Sequence, residues 1–200
     1  MLFIVVGDSC SGKTTLVDDL VFKVGPYCLG LSKILQYTTR PRRDLNDNDY
    51  YFCKELNRED CISYSEYEVI NSKGEKDIWK YGYRKMSLDK CSSKNQIMIS
   101  NASELPQIVH YANTHNMPYT IYYVFANKNE LFKRALDRPN YHIDEIIRRY
   151  NKDCESWERF DETYPEIAQQ MICFENGREY KYALAEFSAL VSKKMDWSKI

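Results

Sequence analysis

Glycine, lysine and threonine residues stand at a fixed spacing near the start of the chain. One run fits the pattern G-x-x-x-x-G-K-[ST] in full: Gly7, Asp8, Ser9, Cys10, Ser11, Gly12, Lys13 and Thr14. Glycines allow a tight backbone path, so several N–H groups can converge on one anion. A lysine ammonium adds positive charge, and a hydroxyl adds a metal ligand. The run therefore predicts a loop that holds the phosphates of a nucleotide.

The segments on either side of this run are the ones that such a loop needs. Residues 2–6 form an unbroken apolar run rich in β-branched residues, which is typical of a buried parallel strand. Apolar residues then recur at helical spacing over residues 13–24. The free N–H groups and positive dipole end of that helix would face the same phosphate. We expect the whole segment from Gly7 to Thr15 to bind ATP. Lys13 would reach the β- and γ-phosphates, and the Thr14 hydroxyl would bind Mg²⁺.

Length and composition limit the function classes. Two hundred residues, 44% of them hydrophobic, suit one α/β domain with inserted lobes. A net charge of −1 gives no overall attraction to nucleic acid, so any anion site must be local. The seven cysteines have no C-x-x-C spacing, which indicates free thiols in a reducing cytosol. No signal peptide or membrane span is expected. We expect a cytoplasmic protein that binds neither nucleic acid nor membranes, and no protein partner is indicated.

Further apolar runs alternate with amphipathic segments along most of the chain. Strands are expected at residues 33–38, 96–100, 119–125 and 171–174, and helices at residues 103–115, 129–138, 144–160 and 179–195. This alternation predicts an α/β fold with a parallel sheet wrapped by helices on both faces. Residues 40–90 interrupt it with a polar loop and short aromatic runs, which are typical of small antiparallel strands.

A second constellation lies downstream of the loop. Thr38-Thr39-Arg40-Pro41-Arg42-Arg43 is followed by Asp49-Tyr50-Tyr51-Phe52 and then by Tyr81-Gly82. This order resembles the guanylate kinase family, whose T-T-R-x-P-R, D-Y-x-F and Y-G segments form the lobe that holds a nucleoside monophosphate. The resemblance covers nearly the whole chain. It implies a P-loop NTPase-type core over residues 1–39 and 91–200, with a helical lid at about 128–160. Residues 40–90 would be an inserted, small mixed α/β lobe that binds the acceptor.

The same resemblance assigns roles at the acceptor phosphate. Arg40 and Arg43 would grip it, with Arg42 as a rival for the second place, because guanidinium forks suit phosphate. Tyr50 and Tyr81 would each donate a phenolic O–H group to that phosphate. By their residue types alone, the arginines also fit a solvated, salt-bridged loop.

Two later segments, residues 131–138 and 146–150, resemble the lid of the family. The resemblance implies that Arg134, Arg138 and Arg149 close over the transferring phosphoryl group and act with Lys13 on its developing charge. A basic helix face with ordinary i,i+4 pairs is the alternative for each of these arginines.

The sequence differs from the family mainly at the residues that would recognise the base. Ser63 stands where the family has a guanine-reading Glu, and Glu66 or Glu68 would have to substitute for it. Asn101 stands where the family strand ends in Asp, and Gln36 replaces the usual serine before the first arginine. Serine and asparagine lack the charge and the paired acceptors with which a carboxylate reads guanine.

The residues expected to bind phosphates thus match the family, whereas the residues expected to recognise the base do not. It predicts an ATP- and Mg²⁺-dependent nucleoside monophosphate kinase that acts on GMP or a related NMP or dNMP. Ser63, Glu66 and Asn101 remain the candidates at the base. One alternative is a kinase of the same fold that acts on a phosphorylated sugar or another phosphate ester. The other is a non-catalytic guanylate-kinase-like binding module.

Overall fold

The computed structural model describes residues 1–24, 30–42, 45, 47–70, 76–88, 94–137, 143–177, 179–195 and 198. Its strands are β1 (Leu2–Gly7), β2 (Leu31–Ile34), β3 (Gln36–Thr38), β4 (Tyr50–Phe52), β5 (Cys61–Ile70), β6 (Lys76–Arg84), β7 (Asn95–Ile99), β8 (Tyr119–Phe125) and β9 (Met171–Glu175). Its helices are α1 (Lys13–Asp19), α2 (Lys85–Leu88), α3 (Leu105–Thr114), α4 (Lys128–Leu136), α5 (Ile143–Thr163), α6 (Pro165–Ala168) and α7 (Tyr180–Ser192). A π-helical turn (Leu20–Val24) continues α1, and a 3₁₀ turn (Arg58–Asp60) precedes β5.

Five parallel strands form the central sheet, in the order β2-β7-β1-β8-β9. The middle strand is buried along its whole apolar run, since Leu2 to Val6 are at most 1% exposed. One face of the sheet packs on α1 and α7, through residues such as Leu16 and Phe187. The other face packs on α3 and α5, through residues such as Ile108 and Phe160. The predicted α/β fold, a parallel sheet with helices on both faces, is confirmed.

A second sheet has the order β4-β3-β6-β5, and its pairs are antiparallel except for β3 with β4. The sequence predicts one strand over residues 33–38. The structure divides that segment at Leu35, so that β2 belongs to the central sheet and β3 to the second sheet. Alternation of apolar residues does not reveal such a division, because both halves are extended. The division of the chain into core, inserted lobe and lid stays a prediction.

None of the described helices is both long enough and apolar enough to cross a membrane.

Candidate functional site

The glycine loop, Gly7–Thr15, leaves the end of β1 and leads into α1. Gly7 has φ 136°, and a Cβ there would lie 1.9 Å from the carbonyl oxygen of Val124. Gly12 has φ 87°, and a Cβ there would lie 2.5 Å from Nδ2 of Asn176. Both positions therefore need glycine, for the backbone conformation and because Val124 on β8 and the Asn176 side chain approach them closely. Cys10 also has a positive φ, 63°, so the loop holds a conformation that side chains disfavour.

Lys13 folds back over this loop. Its Nζ donates to the carbonyl oxygens of Gly7 at 2.9 Å and Asp8 at 2.5 Å, and lies 3.5 Å from Oγ of Ser11. The ammonium group is thus already held at the loop, where a bound phosphate would meet it. Thr14 is exposed in the first turn of α1. In the described part of the chain no group of three His, Cys, Asp or Glu residues could hold a metal ion. A hydroxyl beside bound phosphates suits Mg²⁺, which takes one or two protein ligands together with phosphates and water.

Arg134 and Asn176 form the wall behind the loop. The Arg134 guanidinium donates from Nε to Glu130 at 3.0 Å and from its two terminal nitrogens to the carbonyl oxygens of Ser11, at 3.1 Å, and Asn176, at 2.6 Å. The Asn176 carboxamide donates to the same Ser11 oxygen at 2.7 Å. One predicted lid arginine therefore lies at the loop, and α4 and the end of β9 are tied to it. Arg138, another of the three, lies outside the described residues.

Two carboxylates accept hydrogen bonds at the loop, that of Asp153 and that of Asp8, which belongs to the loop itself. The backbone N–H of Ser9 donates to Oδ2 of Asp153, on α5, at 2.6 Å. The Tyr123 hydroxyl donates to Oδ1 of Asp8 at 2.9 Å. Burial raises the pKa of Asp8, and the charge of Asp153 adds to the rise, while the Tyr123 hydrogen bond and the Lys13 charge oppose it. Burial and the Asp8 charge also raise the pKa of Tyr123 well above its ordinary value.

A pocket with about 290 Å³ of empty space lies between the loop and the two helices α4 and α5. Its walls include Ser9 and Cys10 from the loop, Phe132 from α4, and Arg149 and Tyr150 from α5. Arg149, the third predicted lid arginine, is thus beside the loop. Its role in catalysis stays a prediction.

A larger cleft, with about 380 Å³ of empty space, runs between the central sheet and the second sheet. Its lining residues are Thr14, Lys33, Ile34, Leu35, Gln36, Asp49, Tyr50, Tyr83 and Ile99. Tyr83 bridges the two sheets, since its hydroxyl donates to the carbonyl oxygen of Ile99. The cleft therefore connects the predicted metal ligand, Thr14, with the predicted acceptor ligand, Tyr50.

Three of the predicted phosphate-gripping residues lie together at the second sheet: Arg40 just after β3, Tyr50 on β4 and Tyr81 on β6. Arg40 is only 2% exposed, and it pairs with Asp47 at 2.9 Å and donates to the Pro41 carbonyl oxygen at 3.0 Å. Its guanidinium carbon lies 5.2 Å from the centre of the Tyr50 ring, and the Tyr50 and Tyr81 rings meet edge-on at 5.7 Å. Of the two candidates for the second arginine, Arg43 lies outside the described residues. Arg42 is exposed and donates to the Asp47 carbonyl oxygen at 2.9 Å.

The three predicted base ligands have different surroundings. Ser63 is fully buried, and its Oγ has no hydrogen-bond partner among the described residues. Glu66 is exposed and accepts a hydrogen bond from the Tyr64 hydroxyl at 2.5 Å. Asn101 accepts from the backbone N–H groups of Ser103 and Glu104, both at 3.0 Å. The helix expected from residue 103 begins at Leu105, and the Asn101 side chain holds the turn before it.

Glu104 is a buried carboxylate that no pattern in the sequence singles out. It is 1% exposed, and its oxygens accept from Ser65 Oγ and Gln36 Nε2, both at 2.7 Å. It therefore joins the start of α3 to β5 and β3. Burial raises the pKa of Glu104, and hydrogen bonds from Ser65 and two amide groups oppose the rise. Neither Glu104 nor Asp153 belongs to a recognisable spacing, so no signal in the sequence identifies them.

Comparison with known proteins gives a likeness in structure alone. No protein-family model matches the chain, and no curated protein matches it in sequence. A crystal structure of guanylate kinase from Anaplasma phagocytophilum aligns with a TM-score of 0.54 at 13% identity, covering 99% of this chain and 88% of that one. An uncharacterized protein from Eubacterium ventriosum aligns with a TM-score of 0.48 at 10% identity, covering 98% of this chain and 99% of that one. The chain is thus similar in fold to a guanylate kinase.

Proposed function

We propose that this chain is a phosphotransferase that moves the γ-phosphoryl group of ATP to a nucleoside monophosphate, giving ADP and the diphosphate. The cleft between the two sheets carries this proposal, because it runs from Thr14 at the glycine loop to Tyr50 in the second sheet. A donor on the loop and an acceptor phosphate at Arg40, Tyr50 and Tyr81 would face each other across it. The likeness in fold to a guanylate kinase supports the same reading.

Phosphoryl transfer needs in-line positioning and positive charge on the developing negative oxygens. Lys13 and Arg134 lie at the glycine loop, and Arg149 lines the pocket beside it. These three cations would stabilise the charge of the transferring group. Mg²⁺ bound with ATP would neutralise phosphate charge, and Thr14 would be its protein ligand. No general base is required, because an acceptor phosphate is already anionic at neutral pH.

The acceptor phosphate would meet donors that are fixed in advance. Asp47 and the Pro41 carbonyl oxygen hold the plane of the Arg40 guanidinium, which has five N–H groups in all. The edge-on contact between the Tyr50 and Tyr81 rings limits the motion of both phenols. Donors held in this way lose little conformational freedom when an anion binds.

The neutral side chains at the predicted base site determine the base preference that we propose. Ser63 and Asn101 are neutral, and the Asn101 oxygen already accepts two backbone hydrogen bonds at the start of α3. We therefore propose GMP or a related NMP or dNMP as acceptor, without the strict guanine preference that a carboxylate reader gives. The same observation favours a second candidate, a kinase of this fold that acts on a phosphorylated sugar or another phosphate ester.

The test is ADP release from Mg-ATP with a panel of acceptors: GMP, dGMP, AMP, dAMP, CMP, UMP, dTMP and a phosphorylated sugar. We expect activity with at least one nucleotide, reduced about 100-fold or more in Lys13→Ala. Lys23→Ala is the matched control, because Lys23 is exposed and pairs with Asp19, four residues earlier in the same helical segment. Activity with the sugar phosphate alone would favour the second candidate. A silent panel with ATP binding intact would contradict the nucleotide acceptors and favour a phosphate ester outside the panel or a binding module.

A further inference from the structure

We propose that Asp153 binds the glycine loop as a built-in anion, and that nucleotide binding must displace it. Its Oδ2 accepts the Ser9 backbone N–H at 2.6 Å, across 144 residues of sequence. A hydrogen bond from an amide to a carboxylate is short and stronger than one between neutral groups. This inference rests on the proposed function only in taking Gly7–Thr15 as a site for nucleotide phosphates.

A carboxylate oxygen is chemically close to a phosphate oxygen in this position. Backbone N–H groups of such a loop bind anions of several kinds, because they recognise charge and acceptor geometry and not the atom behind them. One N–H group cannot donate fully to both Asp153 and a phosphate. Two anions held at the same loop would also repel each other. Bound nucleotide and bound Asp153 therefore exclude one another at Ser9.

The groups around Ser9 make this competition stronger. Asp8 is half-buried next to Ser9, and its raised pKa reflects the charge of Asp153 in addition to burial. The Lys13 ammonium opposes that effect only in part, and it is directed at the Gly7 and Asp8 carbonyl oxygens. Removal of the Asp153 charge would leave the same loop with less repulsion toward phosphate.

Displacement of Asp153 would act on the whole helix that carries it. Arg149 precedes Asp153 by four residues on α5 and lines the pocket beside Ser9 and Cys10. Trp157 follows by four residues, and its ring meets Tyr123 edge-on at 4.9 Å. These three residues share one face of α5, toward the loop. A nucleotide that expels Asp153 thus repositions the face that bears Arg149. The apparent affinity for nucleotide is the intrinsic affinity multiplied by the fraction of molecules in which Asp153 is not bound to the loop.

The test is calorimetric titration of the full chain with Mg-ADP and, separately, with pyrophosphate. Asp153→Asn keeps the shape of the side chain and can still accept from Ser9, but it lacks the charge. We expect Asp153→Asn to bind both ligands about tenfold more tightly than the unchanged protein. Glu155→Gln removes the same charge from an exposed position on α5 and should change either affinity less than about twofold.

Hydrogen exchange of the α5 amides gives a second measurement. It would not change in Asp153→Asn if Asp153 served only to stabilise the fold. In the unchanged protein, Mg-ADP should alter the exchange of α5 amides, and Asp153→Asn should show that altered pattern before any ligand is added. Equal or weaker binding by a folded Asp153→Asn protein would overturn the inference. So would an α5 that does not respond to Mg-ADP in the unchanged protein, a result that stands even if the variant fails to fold.

The outcomes separate this inference from the proposed function. No acceptor is present in the titration, so tighter binding by Asp153→Asn with a silent acceptor panel would sustain the inference and remove the kinase activity. Absence of nucleotide binding in both proteins would overturn the inference and the proposed function together.

Discussion

The Asn176 carboxamide donates to the Ser11 carbonyl oxygen at 2.7 Å and ties the segment after the last strand to the loop after the first. The two residues are 165 positions apart in sequence. They meet because β1, β8 and β9 are parallel neighbours, so their carboxyl ends lie at one edge of the sheet. Arg134, which follows β8 in sequence, donates to both residues and completes the link. The glycine loop is therefore shaped by three strand ends and not by its own sequence alone.

Gly12→Ala is expected to damage the loop through this contact. The new Cβ would lie 2.5 Å from Asn176 Nδ2, at a φ of 87° that alanine disfavours. We expect a loss of about 1–3 kcal/mol in the free energy of unfolding and weaker binding of Mg-ADP, measured by urea denaturation and by titration. Gly177→Ala is the control, since its Cβ would meet only the flexible end of the Glu175 side chain, at 3.3 Å. Equal stability of the two variants would contradict the prediction.

Arg134→Lys is expected to lower the rate of phosphoryl transfer more than the affinity for ATP. The change keeps the charge but loses the fork that reaches Ser11, Asn176 and Glu130 together. On the proposed function, kcat should fall about 100-fold, as measured by ADP release at saturating ATP. Arg159→Lys, on an exposed turn of α5, should leave kcat within about twofold. An unchanged kcat in Arg134→Lys would assign Arg134 to structure alone.

The structure explains which of these features the sequence could predict. The glycine loop, β1 and the start of α1 are adjacent in the chain, so their pattern of glycine, lysine and apolar residues is visible locally. The alternation of apolar runs predicts the parallel sheet for the same reason. Asp153 and Glu104 act through partners 144 and 68 residues away, and each is one acidic residue among many before the chain folds.

The Asn101 side chain has contacts that the resemblance does not predict. It matches a position of the resemblance, and its oxygen accepts backbone N–H groups at the start of α3. Such local hydrogen bonds are what asparagine commonly forms at the start of a helix, and they use the acceptor that a base would need. The role of Asn101 at the base therefore stays a prediction, and its local hydrogen bonds are ones that a match in sequence position does not reveal.

Asp47→Ala is expected to be strongly destabilising. Arg40 and Asp47 form a buried ion pair, with side chains only 2% and 6% exposed. Removal of the carboxylate leaves a buried guanidinium without its counter-charge, which typically costs about 3–5 kcal/mol of unfolding free energy. Glu179→Gln, in a pair whose side chains are both 64% exposed, should cost less than about 1 kcal/mol. Urea denaturation of both variants measures the difference, and a loss of the same size in each would contradict the buried pairing.

Glu104→Gln is expected to change how stability depends on pH. Burial raises the pKa of Glu104 above its ordinary value of 4.5, so the folded protein keeps this proton at a pH where the unfolded chain has already lost it. The contribution of Glu104 to stability is therefore greatest below pH 4.5 and falls as the pH rises through the folded-state pKa. Glutamine is neutral at every pH and lacks this dependence. Its carboxamide can still accept from Ser65, while Gln36 turns its amide to accept in return.

Urea denaturation of Glu104→Gln and the unchanged protein, from pH 7 down to pH 4.5, tests this expectation. The unchanged protein should gain stability relative to the variant as the pH falls, because only the unchanged protein takes up the buried proton. Glu66→Gln is the control, since that carboxylate is exposed and its loss should not alter the trend. A stability difference that stays constant with pH, or that moves in favour of the variant on acidification, would show that Glu104 is no harder to ionise in the folded state than in the unfolded chain.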